Sequence, residues 1–272
     1  MFRALGVIAV AGLLMGAGPP PGASGDWRPL DPDNTVVIGT TKGQVIVELR
    51  PEFAPQGVAR IRQLVREGVY DGLQFHRVLD GFVAQTGNPN NRDGGASKHP
   101  DLPPEFSFRI APELAAVVVE RSDAREGFVG ATPFQAVSAA EQALRPDPRI
   151  RGWGAYCPGV VGMGRQADPG TANSEIFFMR APARRLDHEY TVVGRVVAGQ
   201  SAINTVAVGE PPKVPDLMLK VRMLADLPPP ERPSLEVMDT RGPAFQARVA
   251  ALKREKGAAF TICDVEVVSR VR

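Results

Sequence analysis

The stretch Phe75 to Gln85, FHRVLDGFVAQ, puts a permanent cation, an amide and several apolar side chains within eleven residues. Side chains alternate along a strand with period two. Phe75 and Arg77 are therefore expected on one face of a first arm and His76 on the other, while Val83 and Gln85 share a face of a second. Asp80-Gly81 supplies the turn between the arms. A guanidinium stays charged at any working pH and has no lone pair to act as a base, so Arg77 suits stabilisation of a polarised atom rather than proton abstraction. From these eleven residues alone, an ordinary hairpin carrying a solvated arginine is the alternative.

Other segments narrow the choice. Tyr70-Asp-Gly72, Gly159 to Arg165 (GVVGMGR), Asn173 to Met179 (NSEIFFM) and Leu186 to Gly199 (LDHEYTVVGRVVAG) follow the hairpin motif or flank it. Together, over about 36–224, they resemble the cyclophilin family of peptidyl-prolyl cis/trans isomerases. The resemblance implies a mainly β fold, a closed antiparallel barrel capped by helices, acting on Pro-containing polypeptides. Rotation about an X-Pro bond crosses a barrier of ~18–20 kcal/mol because it breaks amide resonance. A donor aimed at the prolyl nitrogen, an apolar socket for the ring and polar groups on the rotating carbonyl lower it, with no nucleophile, metal or cofactor.

By resemblance, Arg77 is the catalytic residue, Phe82, Val83, Phe177 and Leu186 line the proline socket, and Gln85 bonds the substrate backbone. The substrate-binding set further contains Gly164, Arg165, Glu175, Arg185 and Tyr190, where the chain departs from or varies on the commonest pattern. Glu175 stands for a Gln, Arg185 for a Trp and Gly164-Arg165 for an Ala-Asn pair; Tyr190 falls where a His or Tyr is found. These changes add charge to the socket rim, and Glu175 is expected to border Arg77 and compete for its protons. A low-activity module that holds Pro-containing segments is the alternative function, and an envelope structural partner a remoter one.

Other chemistries find no support. A formal charge of +2 does not favour nucleic acid. His76, His99 and His188 lack metal-ligand spacing, Gly159, Gly162 and Gly164 do not form a dinucleotide fingerprint, and no G-x-S-x-G elbow exists. Residues 1–23 carry Arg3, an apolar run from Ala4 to Met15 and then small residues. The run is shorter than the ~20 residues a membrane span takes and reads as a signal peptide, with export to the periplasm and no stable membrane insertion after cleavage. Export permits a bridge between Cys157 and Cys263; a disulfide and two buried thiols stay equally open. No pattern specifies an oligomeric state.

The elements that must position these residues read as follows. Residues 26–34 form a Pro-containing linker and 34–226 the isomerase domain, with two strands turning at Thr41-Lys42-Gly43. A helix opens at Pro55, with Val58, Ile61, Leu64 and Val65 inward and Arg60, Arg62, Arg66 and Glu67 solvated. Residues 88–104 are a loop, and Pro104 to Ser107 a short strand. An insertion at about 111–156 contains a Val-rich run and a helix from Pro133 to about Leu144, suggested by capping-box spacing of Thr132 and Gln135; it is expected to be dispensable to the barrel. Asp216 to Leu224 is a strand with Leu217, Leu219, Val221 and Met223 on one face. A helix-strand extension, 227–272, docks on the barrel, its helix spanning Pro243 to Lys256 and its last strand Phe260 to Val268.

Overall fold

Seventeen short strands and four α-helices follow from this alternation of apolar runs and turns in the computed structural model, which describes residues 25–92 and 96–272. Residues 1–23, read above as a signal peptide, lie outside the described residues. The strands and helices are β1 (Trp27–Pro29), β2 (Thr35–Thr40), β3 (Gly43–Leu49), α1 (Pro55–Arg66), β4 (Leu73–Gln74), β5 (Arg77–Val78), β6 (Val83–Thr86) and β7 (Phe108–Ile110). Then come β8 (Ala115–Glu120), β9 (Ala124–Val129), β10 (Thr132–Val137), α2 (Ala139–Ala143), β11 (Ile150–Gly154), β12 (Val160–Met163), β13 (Ile176–Met179) and β14 (Val192–Ala198). The chain ends with α3 (Gln200–Asn204), β15 (Leu217–Met223), β16 (Leu235–Met238), α4 (Pro243–Lys256) and β17 (Ser269–Val271).

Nine strands form one antiparallel sheet in the order β4-β15-β2-β3-β14-β12-β13-β6-β5. Its two edge strands, β4 and β5, are successive pieces of one segment separated only by Phe75 and His76, so the sheet curls into a barrel closed by its own chain. Period-two alternation sends neighbours to opposite faces. Val36, Ala84 and Phe178 belong to an apolar cluster that includes the inward stripe of α1. Val37, Val83 and Phe177 belong to a second one. The sheet is thus buried on both sides.

The second cluster is completed by the rest of the chain. Strands β7 to β11 make a five-stranded sheet in the order β7-β11-β10-β9-β8. Its rings interlock with both neighbours: Phe108 stacks on Phe53 ahead of α1 at 4.0 Å between centroids, and Phe128 meets Phe245 of α4 edge-on at 5.3 Å. The third sheet joins the chain's extremes in the order β1-β16-β17. A disulfide between Cys157 and Cys263, with Cα atoms 4.8 Å apart, fixes the C-terminal extension to the segment ahead of β12.

Several sequence expectations are corrected. Residues 27–29 are a strand paired with β16 rather than part of a linker. Thr132 to Val137 is strand β10, fully paired with β9; the helix is only Ala139–Ala143, capped by Ser138 Oγ accepting from the Glu141 N–H. Cross-strand burial of Phe134 overrides the capping-box spacing there. Pro104 to Ser107 is not a strand, and Glu105 instead accepts from the N–H groups of Gln56 and Gly57 at the start of α1, whose N-cap Ala54 supplies no side-chain acceptor.

Arg60 is buried, donating to the Pro100 carbonyl, and Arg62 is half-buried against Asn34, so only part of the outer face of α1 is solvated. A bulge between Met218 and Lys220 reverses the alternation in β15, burying Met218 and leaving Leu219 53% exposed. The last strand is Ser269–Val271; ahead of it Ile262 packs from a short 3-10 turn, Ile262–Asp264, and Val265 and Val267 from irregular backbone.

Candidate active site

Strands β5 and β6 set the chemistry side by side. Arg77 pairs directly with Gln85 across an antiparallel ladder, so both side chains emerge on one face. The tight turn runs through Gly81, at φ +59°, and is closed by the Leu79 N–H donating to the Val83 carbonyl. Phe75 does not join Arg77: the strand breaks at Phe75-His76, and Phe75 turns into the barrel cluster against Phe178, with centroids 6.2 Å apart. A continuous strand would have kept Phe75 and Arg77 on the same side.

On the face of Arg77 and Gln85 lies a cleft of about 370 Å³ lined by Arg77, Phe82, Val83, Gln85, Gly164, Arg165, Gln166, Glu175, Phe177, Leu186 and Tyr190. Phe177 reaches it because β13 pairs Phe177 with Gln85, alternating with the barrel-facing Phe178. Behind Phe177, Tyr156 stacks at 5.7 Å; in front, Tyr190 meets it edge-on at the same centroid distance. Val83 and Phe177 are buried, while Phe82 and Leu186 are half-buried at the mouth.

The polar wall is a hydrogen-bonded chain. Arg77 Nη1 donates to Gln85 Oε1 at 3.2 Å, and Gln85 Nε2 donates to Glu175 Oε2 at 2.8 Å. Asn88 Nδ2 donates to the other Glu175 oxygen at 3.2 Å. Glu175 is buried and accepts from Gln85, which itself accepts from Arg77. On its other side Arg77 meets Glu210, Nε to Oε1 at 2.6 Å. The Glu210 loop is brought there by paired backbone hydrogen bonds between Val78 and Gly209.

Two departures from the family pattern are coupled sterically. A Cβ on Gly164 would stand 2.9 Å from the Cβ of Glu175 and 3.0 Å from its Oε2, so the missing side chain at 164 makes room for the carboxylate at 175. Arg165 is held against the Tyr190 ring, 4.4 Å from its centroid, and pairs with Glu189 at 3.6 Å. Arg185 lies outside the cleft lining, its guanidinium 4.5 Å over the Phe82 ring. It borders an adjacent cavity of about 630 Å³, where the Trp153 and His188 rings meet at a 38° tilt with centroids 3.9 Å apart. Burial lowers the His188 pKa and raises that of Asp187, whose rise is opposed by its ion pair with Arg184.

Gln166, Glu210 and Tyr156 are the contributors that sequence reasoning missed. Gln166 follows directly on Gly164-Arg165, and extending that motif by one residue would have found it. Glu210 and Tyr156 have no local signal, since each arrives through contacts far along the chain.

The model of the cyclophilin type peptidyl-prolyl cis-trans isomerase family matches residues 35–223. A probable peptidyl-prolyl cis-trans isomerase of Brucella suis is 35% identical over 212 residues, 72% of this chain and 85% of that protein. Mouse peptidyl-prolyl cis-trans isomerase-like 1 is 27% identical over 68% of this chain and 83% of its own length. The crystal structure of the cyclophilin AquaCyp293 from Hirschia baltica superposes with a TM-score of 0.81 at 35% identity, covering 90% of this chain and 92% of that one. With the barrel, the cleft and these likenesses in agreement, the chain belongs to the cyclophilin family of peptidyl-prolyl cis-trans isomerases.

Proposed function

We propose that this protein accelerates rotation about X-Pro bonds in polypeptides folding outside the cytoplasm, with Arg77 as the catalytic residue. The observation that carries the reading is the pairing of Arg77 with Gln85 beside the apolar floor of Phe82, Val83, Phe177 and Leu186. Seated on that floor, a proline ring presents its nitrogen towards the guanidinium. Rotation breaks amide conjugation and leaves a pyramidal nitrogen whose lone pair accepts from Arg77, while Gln85 holds the peptide backbone. Arg77 donates without giving up its proton, so the step needs no co-reactant.

Export is part of the proposal: the charged, apolar and small-residue order of 1–23 supports it, and the Cys157–Cys263 disulfide suits an oxidising compartment. The test is proline-limited refolding of a model client with wild type and Arg77→Ala, monitored beside circular dichroism. A loss of about a hundredfold in kcat/KM with the fold intact is expected. Equal rates in the two proteins would leave a binding module.

A further inference from the structure

On the barrel, a second groove of about 610 Å³ runs between the β14-α3 corner and the disulfide-held stretch ahead of β17. Arg195 of β14 lines it and is only 7% exposed. Its Nη1 donates to the Ala131 carbonyl at 3.1 Å, and among the described residues it forms no ion pair. The carboxylate directly across the ladder is Glu48, but its oxygens are taken by Arg28 at 2.8 Å, by Arg50 and by the Ala131 N–H at 3.1 Å. Arg28 and Arg50 therefore neutralise this carboxylate, and Arg195 forms no ion pair with it. Burial draws its pKa down to about 10, against the opposing charge of Glu266.

The same groove holds an acceptor in want of a donor. Gln200 uses its Nε2 on the Met179 carbonyl and Asn204, whereas its buried Oε1 has no partner. The two groups converge above Gly159, where a Cβ would lie 3.3 Å from Gln200 Oε1 and 3.4 Å from Arg195 Nε. Val196, Val265 and Val267 supply an apolar wall. Two acidic residues stand at the lip: Asp264 pairs with Lys256 at 2.7 Å, and Glu266, largely exposed and 3.9 Å from Arg248, also acts on Arg195 through its charge.

We infer that this groove binds the free C-terminal end of a polypeptide, its carboxylate on Arg195, its last amide N–H on Gln200 Oε1 and its last side chain against the valines. Charge complementarity selects an anion. The orphan acceptor selects one that also carries a hydrogen-bond donor, and the valines favour an apolar terminal residue over an inorganic anion. The site is remote in sequence from the Arg77 cleft and independent of catalysis there.

The test is calorimetric titration of the full chain with the proline-free peptide acetyl-Gly-Ala-Ala-Val as free acid and as C-terminal amide. The acid is expected to bind at least about tenfold more tightly, and Arg195→Met to abolish the difference while leaving isomerase activity unchanged. Equal binding of acid and amide, or an acid preference that survives in folded Arg195→Met, overturns the inference. So does acetate matching the peptide, which would reduce the groove to a simple anion site. If Arg195→Met fails to fold, the acid-against-amide comparison on the wild-type chain decides alone.

Discussion

Glu210 Oε1 stands 2.6 Å from Nε of Arg77, so the guanidinium carries a carboxylate on one flank and an amide on the other. Glu210 is about half exposed, and such a pair adds little to stability. Its greater effect is on the field at the cleft, where a negative charge offsets the help Arg77 gives to a developing lone pair. Glu210→Gln is expected to raise kcat/KM on an uncharged peptide about threefold, roughly 0.6 kcal/mol in the barrier. A fall in rate with an unchanged fold would instead make Glu210 the residue that keeps the guanidinium in place.

Glu175 belongs to the same network. Its carboxylate orients the Gln85 amide, which in turn accepts from Arg77. Glu175→Ala is expected to lower kcat/KM about tenfold by releasing Gln85, whereas Glu175→Gln, which keeps an acceptor there, stays within about threefold of wild type. Peptide-substrate kinetics decide it: a tenfold gain in Glu175→Gln would restore direct charge competition.

Tyr156 forms the back wall of the cleft with its hydroxyl buried and without a hydrogen-bond partner. Burial accordingly raises the pKa of that phenol well above its ordinary value. An unsatisfied buried polar group costs about 1–3 kcal/mol. Tyr156→Phe should therefore leave activity intact and raise Tm by a few degrees; a drop in Tm would show that the hydroxyl is satisfied in solution.

Replacing 111–156 by a Gly-Ser linker was expected from sequence to spare the barrel, but the structure reverses that outcome. The segment supplies Phe128, Phe134 and Ile150 to the cluster that also contains Val83, Phe177 and Met179. Removing several such side chains at about 2–5 kcal/mol each exceeds the stability of a typical domain. Insoluble or molten material is expected, and a soluble variant with cooperative melting would disprove the shared core.

The buried carboxylate of Glu48 has a pKa lowered to about 2: burial pushes it up, and Arg50 and Arg28 overcome that. Its contribution is therefore complete above about pH 4.5, the unfolded value, and is lost as pH falls towards 2. In urea titrations across that window, wild type should lose roughly 3 kcal/mol more than Glu48→Gln, although the variant starts less stable. Parallel pH profiles would mean that Arg28 and Arg50 do not hold the ionised form.

Arg77 and Gln85 were legible because strand period and turn chemistry are local, and one Asp-Gly turn fixes their register. The helix α4 was legible for the same reason, with Pro243 opening it and Gly257, at φ +54°, closing it. Phe75 was misplaced because a strand break leaves no mark in residue types. The bulge at Leu219 is equally silent, a register shift between β15 and β2 that residue types do not announce. Glu210 was unreadable: a half-exposed acid in a Pro-rich loop looks solvated until the Val78 and Gly209 backbones pair. In β10, Thr132 and Gln135 have helix-start spacing by coincidence, and contacts from β9 and β11 determine the outcome.

The three-stranded sheet also governs the order in which the chain completes itself. Trp27 in β1 pairs with Met238 in β16, which in turn is backed by Ser269–Val271. Whether the polypeptide emerges from a ribosome or a translocation pore, the first strand made waits for nearly the last. At about 5–20 residues per second, that wait is on the order of ten to forty seconds. For that interval Trp27 and the rest of β1 are without the strand they pair with in the finished fold.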